Sequence, residues 1–153
     1  MKSRLLCVIL ATLAAFACDD GLTSPGTISS GNGTGTLDVA GVWTGAASDS
    51  AGQMTMTWRL TQSNRNVTGT FAATTPIGAP IYTAGTIAGT VSASTMIFAI
   101  TIPQGSIVDA PDCSATFTGT ADDVRTDSMA GTYSGSDSCG GTFVGGRFTL
   151  LKE

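Results

Sequence analysis

The sequence predicts an all-β domain: a small eight-stranded antiparallel up-and-down meander barrel, with a β-sandwich as the alternative. Three observations predict it. Apolar and polar residues alternate with period two in eight short stretches, and no ten-residue stretch shows helical spacing. The pieces between them are short and turn-rich, which favours pairing of successive strands over the crossovers a sandwich needs. The composition is that of a sheet: 20 Gly and 25 Thr in 153 residues, with few strong helix formers.

The elements follow in order. Val39, Gly41 and Trp43 alternate in the first strand. In the second, Met54, Met56, Trp58 and Leu60 share one face, while Thr55, Thr57, Arg59 and Thr61 share the other. Val67, Gly69 and Phe71 mark the third strand; Ile87, Gly89 and Val91 mark the fourth. Met96, Phe98, Ile100 and Ile102 mark the fifth, whose second face carries Ile97 and Ala99 and is therefore expected to be covered. Ala115, Phe117 and Gly119 give the sixth, and Met129, Gly131 and Tyr133 the seventh. Val144, Gly146, Phe148 and Leu150 are assigned inward on the eighth, with Phe143 and Leu151 on the opposite parity. Ser48–Gly52, Gln62–Asn66, Thr74–Pro80 and Asp122–Ser128 read as connections.

An apolar-x-Gly-x unit recurs four times, at Val67–Thr70, Ile87–Thr90, Phe117–Thr120 and Met129–Thr132. Each Gly falls on the inward face. Removing bulk there permits sharp coiling and close passage of large neighbours, as a small closed sheet requires.

The domain is expected to span residues 37–153. Ahead of it, Lys2 and Arg4 precede an uncharged run from Leu5 to Phe16, the layout of a secretory signal peptide over residues 1–17. That run is too short for a permanent membrane span. Residues 18–36 are dominated by Gly, Ser, Thr, Asn, Asp and Pro and read as a flexible linker. Ala15-Phe16-Ala17-Cys18 resembles the lipobox of bacterial lipoproteins, with Ala15 where the best examples carry Leu. The resemblance implies that Cys18 is lipidated and becomes the first residue of a membrane-anchored cell-envelope protein facing the periplasm or the cell exterior. Each buried acyl methylene contributes about 0.8 kcal/mol to such an anchor. Loss of Lys2 and Arg4 takes the formal charge from −4 to −6. Which membrane holds the anchor stays open.

Gly41-Val42-Trp43-Thr44-Gly45 resembles the first strand of lipocalin- and avidin-like barrels, where the Trp packs at the barrel base. Gly69-Thr70-Phe71 and Gly131-Thr132-Tyr133 resemble the Gly-Thr-Tyr repeats of avidin-like chains. The second lipocalin motif, Thr-Asp-Tyr, is missing, and only two Trp residues stand against the avidin biotin-binding set. The resemblance therefore implies architecture and not biotin.

Cys7 leaves with the signal and Cys18 takes the lipid. Cys113 and Cys139 remain as one pair, at the start of the sixth strand and just after the seventh. A hairpin brings those points together, so a disulfide is expected in an oxidising compartment.

No His is present, which excludes His-based triads and His-ligated metals. The Asp pairs Asp109/Asp112 and Asp122/Asp123, with Asp127 and Asp137, fall in expected loops, where solvated acids are ordinary. No cofactor, metal or catalytic residue is expected, and without a basic patch nucleic acid is not an expected partner.

Two roles remain: a module binding a small hydrophobic ligand in the barrel, or an accessory envelope protein acting on protein partners through its outer surface. Trp43, Met54, Met56, Trp58, Phe71, Met96, Phe98, Phe117, Tyr133 and Phe148 are the residues expected either to line a pocket or to fill the core. Mass spectrometry of the mature N-terminus tests the anchor. It should find a chain that begins at a diacylglyceryl-modified Cys18, and Cys18→Ser should abolish the modification; an unmodified Cys18 or cleavage elsewhere overturns the assignment.

Overall fold

The computed structural model describes residues 36–153. The signal segment, Cys18 and nearly all of the linker lie outside the described residues. Eight strands follow one another: β1 (Gly41–Asp49), β2 (Gly52–Ser63), β3 (Asn66–Thr74), β4 (Pro80–Ser92), β5 (Thr95–Ile102), β6 (Ala115–Val124), β7 (Ser128–Asp137) and β8 (Thr142–Lys152). Each pairs antiparallel with the next. β8 returns to β1, from Trp43 opposite Lys152 to Ser48 opposite Arg147, and closes the barrel. Closure leaves no exposed sheet edge and decides against the sandwich.

The inward rows are dry. All ten residues expected to line or fill the interior are buried, with at most 6% of their surface exposed. The outward rows of β2, β3 and β6 carry Thr and Arg59 as expected, Arg59 being exposed.

Inward aromatics stand directly opposite glycines on neighbouring strands. Phe71 faces Gly85, Phe98 faces Gly89 and Gly119, Phe117 faces Gly135, Tyr133 faces Gly146, and Phe148 faces Gly131. A ring can lie flat across such a gap because no Cβ occupies it. At Gly131 a Cβ would strike the Thr120 carbonyl oxygen and the Ala121 Cα, both backbone atoms of β6. Its need for Gly is thus steric, set by how closely the coiled strands pass.

One end of the barrel is shut by the chain that enters it. Val39 is fully buried; its carbonyl accepts the Trp43 indole N–H at 2.8 Å, and its own N–H donates to Gln62 Oε1 at 2.7 Å. Trp43 therefore sits at the base, and the Lys152 ammonium lies over its ring, 5.4 Å from the centroid. At the other end Cys113 and Cys139 form the expected disulfide, with Cα atoms 5.8 Å apart. It ties the β5–β6 connection to the β7–β8 turn.

Two expectations are corrected. On the eighth strand Val144 is 61% exposed, while Phe143 packs against the core. Tyr133 pairs with Gly146 and Gly135 with Phe143, so β8 holds one extra residue there, and Gly145 adopts a φ of 66°. That bulge reverses the inward parity. On the fifth strand the second face is not covered: Ile97 is 62% exposed. Its β-branched side chain fits the pleated outer wall without needing a partner layer.

Gly131→Ala should lower stability by about 3 kcal/mol, the upper range for overpacking against groups that cannot yield. Thr132→Ala on the outer face should change it by less than about 0.5 kcal/mol. Paired urea denaturation curves measure both; equal midpoints would refute the steric account.

Candidate functional site: the aromatic mouth

The end opposite Val39 carries the connections β1–β2, β3–β4, β5–β6 and β7–β8, and there the inward rows change character. The row of β1 runs Trp43, Gly45, Ala47, Asp49. That of β7 runs Met129, Gly131, Tyr133, Gly135, Asp137. Both therefore finish on a carboxylate, partly buried at the rim. β4 adds Tyr82, which is 5% exposed.

The interior rings form two groups. In the middle, Trp58, Phe98 and Phe148 meet one another with centroids 4.9–5.7 Å apart. At the mouth, Tyr82 meets Phe71 at 5.9 Å and Phe117 at 5.8 Å, and Phe117 meets Phe143 at 5.1 Å and Tyr133 at 6.0 Å. Tyr133 joins the groups through Phe148. Edge-on and tilted contacts of this kind suit the ring quadrupoles. Of the ten candidate residues, Trp43 lies apart at the base. Met96 opens β5 beside the β4–β5 turn, also near the base. Met54 and Met56 fill the β2 wall between the rings and the rim.

Hydrogen bonding at the mouth is uneven. Tyr133 donates its hydroxyl to Asp49 Oδ2 at 2.8 Å, and Asp49 Oδ1 accepts the Ala51 N–H at 2.8 Å. Asp137 Oδ1 accepts the N–H groups of Cys139 and Gly141, each at 2.8 Å. The Tyr82 hydroxyl has no partner among the described residues. Burial, and then the nearby charges of Asp49 and Asp137, push its pKa up to about 12. Tyr133 is raised too, by burial first, then by its bond to Asp49 and that carboxylate's charge. Deeper, the Trp58 indole N–H is fully buried with no hydrogen-bond partner. An orphaned donor of this kind costs about 1–3 kcal/mol.

The depressions described on the protein lie on the outer wall. One of about 370 Å³ is framed by Ala46, Ser48, Gln53, Thr55 and Arg147 across β8, β1 and β2, with Pro76 above it. Three others of about 320–350 Å³ lie along outward rows of β2–β4 and β6–β8. Among the described residues, no group of three or more Cys, Asp or Glu is placed to hold a metal. Asp122 and Asp123 are exposed on β6, and Arg125 holds the Asp123 carboxyl below its usual range through their hydrogen-bonded ion pair at 3.0 Å.

Sequence reasoning missed Asp49, Tyr82 and Asp137 as a set. Asp49 and Asp137 were legible, since each continues an inward row by two residues. Tyr82 was not. Phe71 pairs with Gly85 but Ala73 with Tyr82, so a bulge in β4 separates Tyr82 from the parity of Ile87.

No protein family and no curated protein matches this chain in sequence. Solved structures similar in fold include two barrels bound to DFHBI. EF1p2_mFAP2b bound to DFHBI shares 17% identity at a TM-score of 0.57, covering 74% of this chain and 93% of that one. The redesigned β-barrel mFAP1 bound to DFHBI shares 17% identity at a TM-score of 0.52, covering 74% and 94%. At that identity the likeness is one of fold.

Tyr82 and Tyr133 are the chain's two tyrosines, so tyrosinate absorbance near 295 nm reports on the mouth alone. Both pKa values are raised above the ordinary 10.0. Their protonation therefore supports the fold fully below about pH 10 and is lost as pH climbs toward and past about 12. The folded protein should show almost no tyrosinate at pH 10, whereas the unfolded chain should show about half. Half-titration of the folded protein at pH 10 would contradict the buried mouth.

Proposed function

We propose that this chain is a non-enzymatic, lipid-anchored protein of the bacterial cell envelope whose barrel takes a small hydrophobic ligand at the tyrosine end. The observation that carries the ligand role is a buried polar group without a protein partner, the Trp58 indole N–H below the mouth rings. Native interiors seldom leave such groups unpaired, and a ligand atom that meets them recovers the cost. Small side chains at Ala47, Ala73 and Ala115 thin the wall around this end, and the flexible Met54 beside them can repack. Two designed barrels of similar fold are bound to DFHBI, which supports the capacity of the architecture.

The envelope assignment rests on the signal-like segment, the lipobox resemblance at Cys18 and the polar tether. The Cys113–Cys139 bridge agrees with an oxidising compartment. The want of His and of a metal-binding group among the described residues supports binding over catalysis.

A second reading, an accessory protein acting through its outer surface, is favoured by one observation: the interior rings already touch one another, while the largest depression described lies outside. Thermal-shift and Trp-fluorescence titrations of the mature protein against lipids, small hydrophobes and glycans separate the two. Small hydrophobes at about a hundredfold over Kd should add about 2.7 kcal/mol of stability, a rise of several degrees in Tm, and Tyr82→Phe should weaken that response. No movement with any class would leave the outer-surface reading in place.

A further inference from the structure

We propose that the β5–β6 connection is a gate in the barrel wall, which swings away from β4 to admit a ligand on the Tyr82 side of the mouth rings. This rests on the reading of that end as a ligand site and names the way in.

The wall has a break there. β4 runs from Pro80 to Ser92, but β5 pairs with it only from Thr86 to Ser92. On that side residues 80–85 have no strand beside them among the described residues. The connection takes the place of one. The Thr83 N–H donates to the Ser106 carbonyl at 2.9 Å, and the Thr83 hydroxyl reaches the same oxygen at 3.4 Å. The Val108 N–H donates to the Ile81 carbonyl at 3.0 Å, and Tyr82 stands opposite Ile107 as an isolated bridge. Opposed residues of an antiparallel pair share a face. Ile107 therefore lies beside the buried Tyr82, where it packs against the core. These few bonds and one partly buried side chain close what strand ladders close elsewhere.

The connection is built to move as a unit. It holds twelve residues, 103–114, while the other connections hold two to five. The Gly105 N–H donates to the Pro111 carbonyl at 2.7 Å, and Gln104 Nε2 donates to the Asp112 carbonyl at 2.9 Å. These bonds draw its two ends into a neck, the form of a compact Ω-loop. Gly105 turns there with a φ of 82°, which suits a residue without a Cβ. Below the neck the root is fixed. Cys113 is bonded to Cys139, the Ser138 N–H donates to the Ser114 carbonyl at 2.8 Å, and the Ser114 N–H donates to Ser138 Oγ at 3.0 Å. The part left to swing is residues 105–111, a lightly latched segment on a rigid frame, as lids are.

The interior needs such an opening. The mouth rings touch one another, and the depressions described lie on the outer wall. A ligand reaches the rings only after part of the wall moves.

Amide hydrogen exchange of the mature protein, followed by NMR in low urea, reads the gate without any ligand. The Thr83 and Val108 amides should open together, at least about a hundredfold more often than the β4–β5 ladder amides, and with little urea dependence. The Gly105 amide should stay slower than both, because the neck holds while the latch parts. Latch amides that exchange at the ladder's rate and urea dependence overturn the gate. Gly105 exchanging as fast as the latch overturns motion as a unit. Stopped-flow uptake of N-phenyl-1-naphthylamine, a neutral fluorescent hydrophobe, tests the entrance. Ile107→Ala weakens the latch and should raise the association rate about tenfold, in step with the open fraction. An unchanged rate overturns the loop as the way in. If that variant does not fold, the exchange rates of the unaltered protein decide alone. Absence of any uptake overturns the ligand reading, and the gate then stands or falls on exchange.

Discussion

The structure depends on a steric pairing: an inward ring on one strand laid over a glycine on the next. Phe71, Phe98, Phe117, Tyr133 and Phe148 each face at least one glycine across the sheet. Eight strands enclose a narrow lumen, and several large rings fit only where the opposite wall has no Cβ. A Cβ on Gly146 would come within 2.7 Å of the Tyr133 ring, and one on Gly45 or Gly131 would run into neighbouring backbone. The glycines therefore serve two ends at once. They let the sheet coil tightly enough to close, and they make room for the rings that fill it.

That packing leaves the barrel polar in a lengthwise sense. At the base, Val39, Trp43, Gln62 and Lys152 satisfy one another: indole N–H to carbonyl, amide to backbone, ammonium to ring. At the mouth the corresponding positions hold Asp49, Asp137 and Tyr82, and only some of their hydrogen-bonding capacity is used. The same architecture thus ends once in a finished cap and once in an acidic, ring-lined rim. The disulfide lies at that rim and restrains two of the loops that frame it, so order is retained where backbone pairing runs out.

Bulges in three strands, β4, β6 and β8, separate what was legible from what was not. In β4 three steps, from Gly85 to Tyr82, stand against two of β3, from Phe71 to Ala73, and two more, from Tyr82 to Pro80, stand against the single step to Thr74. In β6 one step of β7 spans Ala121 to Asp123, and in β8 two steps of β7 span Phe143 to Gly146. Tyr82, Val124 and Phe143 each lie beyond one of these, and each is an interior residue that alternation alone assigns to a loop or to the outside. Period two holds only while each residue has one partner. A bulge sets two residues against one, and nothing in a single strand announces it except, at Gly145, a residue suited to φ > 0.

By itself the sequence determined the all-β class, eight strands in order, the ten-residue interior set, the single disulfide pair and the absence of His chemistry. These follow from local alternation, turn residues and composition, and such signals are carried within a few residues of chain. Closure of β8 onto β1, the reversal at each bulge, and the meeting of Asp49, Asp137 and Tyr82 at one rim were decided only in three dimensions. They depend on the registers of strands far apart in the chain, and register is set by how coiled neighbours pass each other, which no single strand encodes.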